Sequence, residues 1–148
     1  METSVDAEKL VRAIFSQTPE VVVTLGQRVA NIDDRGRHWT PLHAAIETGS
    51  SAMVEAVLKL GANPNCAGGT GLPLSHAIDL EIDTATQDSL LSVPDMHIIE
   101  VLLRYGADPR VFDEFGESPL GFAAARNHDR ALRLFTATPD SPPSTQRG

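Results

Sequence analysis

Asp79, Glu81 and Asp83 put carboxylates at every second position, as the opening of a calcium loop does. Such a loop also needs glycine at its sixth position for the sharp turn and a bidentate glutamate at its twelfth. Thr84 and Leu90 stand there, so the run reads as a solvated acidic helix face or loop. Gly68-Gly69-Thr70-Gly71 has the glycine content of a phosphate-cradling loop but lacks the lysine that reaches the phosphates. It reads as a turn. His38, His97 and His128 are scattered, with no cysteine or paired carboxylate at ligand spacing. Cys66 has no basic sequence neighbour to lower its pKa and reads as a bystander thiol. Neither a G-x-S-x-G elbow, an H-E-x-x-H pair nor a Walker A loop occurs. No catalytic residue, metal site or cofactor is expected, and the chain reads as a non-enzyme.

The charge narrows the partner. Twenty acidic and 12 basic residues among 148 give a net charge of −8. Affinity for phosphate backbones comes from clustered lysine and arginine, so nucleic acid is not the expected partner. A basic protein is. Residues 79–96 hold five acidic residues and no lysine or arginine, so the acidity is concentrated there. One cysteine fits a reducing compartment. Met1 to Leu10 shows neither a basic nor an apolar leader region, and no apolar run is long enough to span a bilayer. A cytoplasmic monomer without membrane contact is expected.

The elements that would position these residues repeat along the chain. Thr40-Pro41-Leu42-His43-Ala44-Ala45, Leu72-Pro73-Leu74-Ser75-His76-Ala77 and Ser118-Pro119-Leu120-Gly121-Phe122-Ala123 align. Gly61-Ala62-Asn63-Pro64-Asn65 and Gly106-Ala107-Asp108-Pro109 follow two of them. Thr40 and Ser118 can cap helices that open on proline, whose missing N–H is not needed there. Leu42, Ala45 and Ile46 recur at helical spacing, as do Met53, Val54, Val57 and Leu58, and Ile98, Ile99, Leu102 and Leu103. Gly61 and Gly106 end the second helix of their units. Val5 to Phe15 and Pro19 to Gly26 read as a first, degenerate pair.

These units resemble ankyrin repeats. Thr40 to His43 matches the family's T-P-L-H signature, Gly61 to Asn65 its G-A-x-P-N ending, and Asp113 and Gly116 keep the family spacing before Ser118-Pro119-Leu120. The resemblance implies an all-α solenoid of four stacked helix-turn-helix units joined by hairpin-like loops. The units span about 1–32, 33–65, 66–110 and 111–137, and a Pro- and Ser-rich tail at 138–148 is expected to be disordered. At its signature position His43 is expected to bond backbone groups near the repeat turn. His76, one residue off that register, is expected to be packed or partly exposed.

The third unit departs from the pattern. Pro41 to Pro73 is 32 residues but Pro73 to Pro119 is 46, about 13 beyond a 33-residue period. The extra residues form an insert at about 79–93. Leu74, Ala77, Ile78, Ile82 and Ala85 keep helical spacing, so the inner helix runs long and a loop returns over Thr84 to Ser92. Ser92 and Asp95 are spaced as a capping box for a helix over Pro94 to Tyr105. Arg126, His128, Arg130 and Arg133 suit a solvated end cap.

The resemblance further implies a protein–protein interaction module that holds its partner on the concave face and hairpin tips. Carried over position by position, that face comprises Arg37 and Trp39, Gly69 and Gly71, and Glu114, Phe115 and Glu117 of the loops, with Glu47 and Thr48, Asp79 and Leu80, and Ala125 and Arg126 of the inner-helix ends; Glu81 and Asp83 of the acidic insert are expected to join it. Trp39 has two readings, an interface anchor or a ring folded over its own hairpin. The alternative function is an immunity- or antitoxin-type inhibitor that blocks a basic toxin enzyme, to which an acidic stack is complementary.

Overall fold

The computed structural model describes residues 7–33, 39–66, 71–86 and 97–137. They form eight helices: α1 (Ala7–Ser16), α2 (Pro19–Gly26), α3 (Pro41–Glu47), α4 (Ser51–Lys59), α5 (Pro73–Thr86), α6 (Ile98–Arg104), α7 (Pro119–Ala125) and α8 (Asp129–Ala137). No strand forms among the described residues, and no described helix is long and apolar enough to cross a membrane.

The helix starts follow from local chemistry. Thr18, Thr40, Ser50 and Ser118 hold extended backbone, and their hydroxyls accept from the N–H groups of Val21, His43, Met53 and Gly121. Each satisfies an N–H that the first helical turn leaves without a partner. Prolines open α2, α3, α5 and α7. The ends are equally local. Gly106 has φ +103°, a backbone that costs glycine little and other residues more. Its N–H donates to Leu103 O at 3.1 Å, and Ala107 N–H donates to Leu102 O at 2.9 Å, which closes α6 in a Schellman turn. Gly61 has φ +102° at the matching place after α4.

Packing then stacks the pairs. Helices α1, α3, α5 and α7 form an inner row, each touching the next, and α2, α4 and α6 form an outer row. Each odd helix also packs on the even helix that follows it. Leu10, Ile14, Ile46, Val54, Val57, Leu74, Ile78, Ile99 and Leu102 are buried along the stack, and Phe135 is buried in α8. Ala44, Ala45 and Ala123 have no exposed surface, so small side chains let the inner row close up. The expected all-α solenoid of four helix pairs is what forms. The unit-ending asparagine acts as a brace: Asn65 Oδ1 accepts from Asp108 N–H at 2.8 Å, and its Nδ2 donates to Gly106 O at 3.2 Å. One unit earlier, Asp33 Oδ1 accepts from Asn63 N–H at 2.8 Å.

Three boundaries differ from the sequence reading. Helix α5 has 14 residues where α3 and α7 have 7, and it continues through Thr84 to Thr86, where a loop was expected. Ile78 and Ile82 pack along it and carry the helical pattern onward. Helix α6 opens at Ile98, with His97 at its cap in helical backbone and no side-chain cap bond. The expected start at Pro94, the Ser92–Asp95 capping box, the rest of the insert and the 138–148 tail lie outside the described residues. Helix α1 runs Ala7–Ser16, and Val5 lies outside the described residues.

Thr40 has a double role that tests the capping account. Its Oγ1 accepts from His43 N–H at 3.1 Å and lies 2.7 Å from His43 Nδ1. Thr40→Ala is expected to cost about 2 kcal/mol, the upper end for a cap, whereas Ser118→Ala, which loses a cap alone, costs about 1 kcal/mol. Urea unfolding of the two variants side by side measures the difference.

Candidate functional site

The loops before α3, α5 and α7 and the ends of the inner helices enclose a cavity of about 510 Å³. The loops supply Trp39, Gly71, Asp113, Phe115 and Glu117. The helices supply Glu47 from α3, Ser75, His76, Asp79 and Leu80 from α5, and Phe122 from α7.

One wall is a stack of three rings. Trp39 and His76 have centroids 5.5 Å apart at 20°, and His76 and His43 are 5.4 Å apart at 18°. His43 is fully buried. Its Nε2 lies 2.7 Å from Gly71 O; a carbonyl only accepts, so Nε2 carries the proton and Nδ1 accepts from the Thr40 hydroxyl. Burial pushes the His43 pKa down to about 4, with the His76 ring adding to the shift and the Gly71 carbonyl opposing it. His43 therefore joins two backbone segments 28 residues apart, as its signature position implied. The Nε2 of His76 donates to Glu47 Oε1 at 2.8 Å. Trp39 packs its ring, half-buried, on His76 of α5 and lines the cavity.

The opposite wall is a braced turn. Asp113 Oδ1 accepts from the N–H groups of Phe115 and Glu117 at 2.8 and 2.9 Å. Asp113 N–H donates to Glu117 O at 2.9 Å. This turn holds Phe115 at its tip with 83% of its surface exposed. Phe122 faces the same space, and the guanidinium carbon of Arg126 stands 3.6 Å from its ring centroid. Four carboxylates line the cavity and, among the described residues, no lysine or arginine does. Glu47 is held by His76, and one oxygen of Asp113 is held by its turn. Asp79 and Glu117 make no ion pair with any described residue.

Of the sequence-predicted face, Trp39, Glu47, Gly71, Asp79, Leu80, Phe115 and Glu117 therefore come together. Arg126 sits beside them on Phe122. Glu114 is exposed at the same turn but does not line the cavity. Thr48 caps the end of α3, its hydroxyl donating to Ala45 O at 2.6 Å and accepting from Ser50 N–H at 3.2 Å. Arg37 lies outside the described residues. Asp83 belongs to the last turns of α5.

Glu81 is a correction. Expected on an exposed acidic face, it is 6% exposed. Arg130 of α8 donates to its Oε2 at 2.9 Å, and His128 Nε2 lies 3.1 Å from its Oε1. Burial raises the Glu81 carboxyl above its ordinary range, against the pull of Arg130 and His128. His128 and Arg130 are corrected with it, since both turn inward from what read as a solvated cap.

His76 and Phe122 were not among the predicted contact residues. The alignment held a signal for both: they stand in the register of Ala44, four residues after the cap position. A bulky ring in a place otherwise given to alanine marks where the inner row widens toward the cavity.

Helix pairs stacked in register, with a cavity at the loop ends of the inner row, define a repeat protein of the helix-turn-helix class. Residues 37–68 match the family model described as Ankyrin repeat. The Ankyrin repeat protein nuc-2 of Neurospora crassa is 41% identical over 62 residues, which are 40% of this chain and 6% of that relative's length. The chain thus carries a segment similar to an ankyrin repeat, and it spans only a small part of the relative it matches.

Proposed function

We propose that the chain is a binding module that docks a basic partner protein on the cleft formed by Trp39, Glu47, Asp79, Phe115 and Phe122. The observation that carries this reading is Phe115, a large apolar ring 83% exposed on a turn braced by Asp113. Hydrogen bonds fix its presentation while almost none of it packs, which suits a ring that finds its contacts on another molecule. Ankyrin repeats are generally protein–protein interaction modules. Binding rather than catalysis also suits His43, whose ring is sealed from solvent and committed to Thr40 and Gly71.

Capture of partners from a cell extract, followed by affinity measurement with the purified partner, tests the reading. Phe115→Ala is expected to leave the melting temperature unchanged and to weaken partner binding by about thirtyfold, the ~2 kcal/mol of an interface hot spot. Unchanged affinity would remove the cleft from the docking face.

The four carboxylates also support a narrower form, an inhibitor that covers the active site of a basic toxin enzyme. A toxin-like reading frame beside this gene favours that form, and a solitary gene weighs against it.

A further inference from the structure

We propose that the cleft takes an arginine side chain from the partner, its guanidinium against the aromatic wall and paired with Asp79 and Glu117. The proposal rests on the cleft being the docking face and names what enters it.

The cavity, at about 510 Å³, lies within the roughly 300–1,000 Å³ of ligand sites. It holds an arginine with its flanking backbone. Its lining combines two kinds of group that only a flat cation satisfies together. Aromatic faces attract a cation through their quadrupoles, and Trp39, Phe115 and Phe122 come from three separate segments to supply them. Carboxylates take a guanidinium through charge-assisted, often paired hydrogen bonds. Covering four carboxylates with an apolar ligand would strip them of water without compensation. A divalent metal would use the carboxylates but gain nothing from the rings.

Two further observations point the same way. The chain already stacks a guanidinium on one of these rings, that of Arg126 over Phe122 at 3.6 Å. His76 lines the cavity with a side chain 10% exposed. Its Nε2 is held by Glu47, and its buried Nδ1 has no hydrogen-bond partner. Glu47, held there through Oε1, keeps its other oxygen for a donor-rich ligand in the cavity. Arginine fits better than lysine because its plane stacks and its fork meets carboxylates, whereas an ammonium is a compact and strongly hydrated point charge.

Trp39 is the only tryptophan in the chain, so its fluorescence reports on the cleft. The probe is an acetylated, amidated peptide with one central arginine between paired serines. Its counterparts carry lysine or citrulline, the latter keeping the shape without the charge. A saturable fluorescence change is expected with the arginine peptide, with citrulline at least about tenfold weaker and lysine between them. The Asp79→Asn/Glu117→Gln variant alters exposed residues, and circular dichroism should match the parent. It is expected to bind the arginine peptide about tenfold less well and the citrulline peptide unchanged.

Equal binding of arginine and citrulline, indifference to the double substitution, or no saturable response overturns the proposal. If the arginine peptide does not bind while Phe115→Ala still weakens the partner, the arginine assignment falls and the docking face stands. If the peptide binds but Phe115→Ala leaves the partner untouched, the docking-face reading is the one that fails. A dimer in sedimentation that the double variant abolishes would place a second copy in the cleft and overturn the proposal.

Discussion

Acidification from pH 6.5 to about 4 is expected to remove about 3 kcal/mol of stability through His43 alone. The ring is fully buried, and burial lowers its pKa from 6.5 to about 4. Each tenfold difference in proton affinity between the folded and unfolded chain is worth about 1.4 kcal/mol. The pKa is depressed in the folded state, so the stabilisation is complete above pH 6.5. It drains away as pH falls, because the unfolded chain takes up a proton that the folded chain refuses. Glu81 runs the other way. Its pKa is raised by burial above 4.5, so its contribution is present below that value and is lost as pH rises through its folded pKa. A comparison with His43→Gln separates the two. The variant should be about 2–3 kcal/mol less stable at pH 7, having lost buried bonds to Thr40 and Gly71. The gap between parent and variant should then close as pH approaches 4. Urea unfolding at intervals from pH 7 to 4 gives that gap directly. A constant gap would mean that His43 burial does not set the acid limit.

Arg130→Ala is expected to loosen the last helix. Arg130 reaches from α8 to Glu81 of α5 at 2.9 Å and to Glu100 of α6 at 3.7 Å, so one side chain ties the terminal helix to the unit before it. The Glu81 side chain is 5% exposed and that of Arg130 is 25% exposed. Removing the arginine leaves a buried carboxyl with His128 as its remaining partner in this cluster. Breaking a fully buried pair costs about 3–5 kcal/mol. Water at the arginine end discounts that to about 2–3 kcal/mol. Hydrogen exchange should quicken across α8 and remain slow in α3 and α4, because a repeat stack opens from its end. Replacing both partners, Glu81→Leu with Arg130→Leu, should recover most of the loss, since apolar residues carry no desolvation cost. A change below about 0.5 kcal/mol for Arg130→Ala, the size of an ordinary surface substitution, would show the bridge to be incidental. A deletion in the third unit that begins at Glu81 should likewise weaken the end of the stack.

The readable part of the site was the part written within single repeat units. Trp39, Glu47, Asp79, Phe115 and Glu117 occupy positions fixed by distance from a motif, and each motif carries its own helix-opening proline. Phe122 and His76 became visible only once the inner helices were set side by side, because their shared register matters only if the helices stack. Glu81 and Asp79 look alike in the sequence, two carboxylates in one acidic run. They are two residues apart on a helix and so point about 200° apart around its axis. That rotation leaves Asp79 exposed in the cleft and turns Glu81 against α8.

The sequence by itself determined the helices, their pairing and the kind of protein they make. Capping hydroxyls, N-terminal prolines, left-handed glycines and apolar stripes act within a few residues, so their outcome is legible locally. The tertiary structure alone decided which charges face water. Glu81 is buried because Arg130, 49 residues further on, is brought to within 2.9 Å of it, and no local pattern encodes that distance. The acidity first assigned to the insert therefore divides. Glu81 is paired with Arg130 of the last repeat, and Asp79 lines the cleft between the repeat loops.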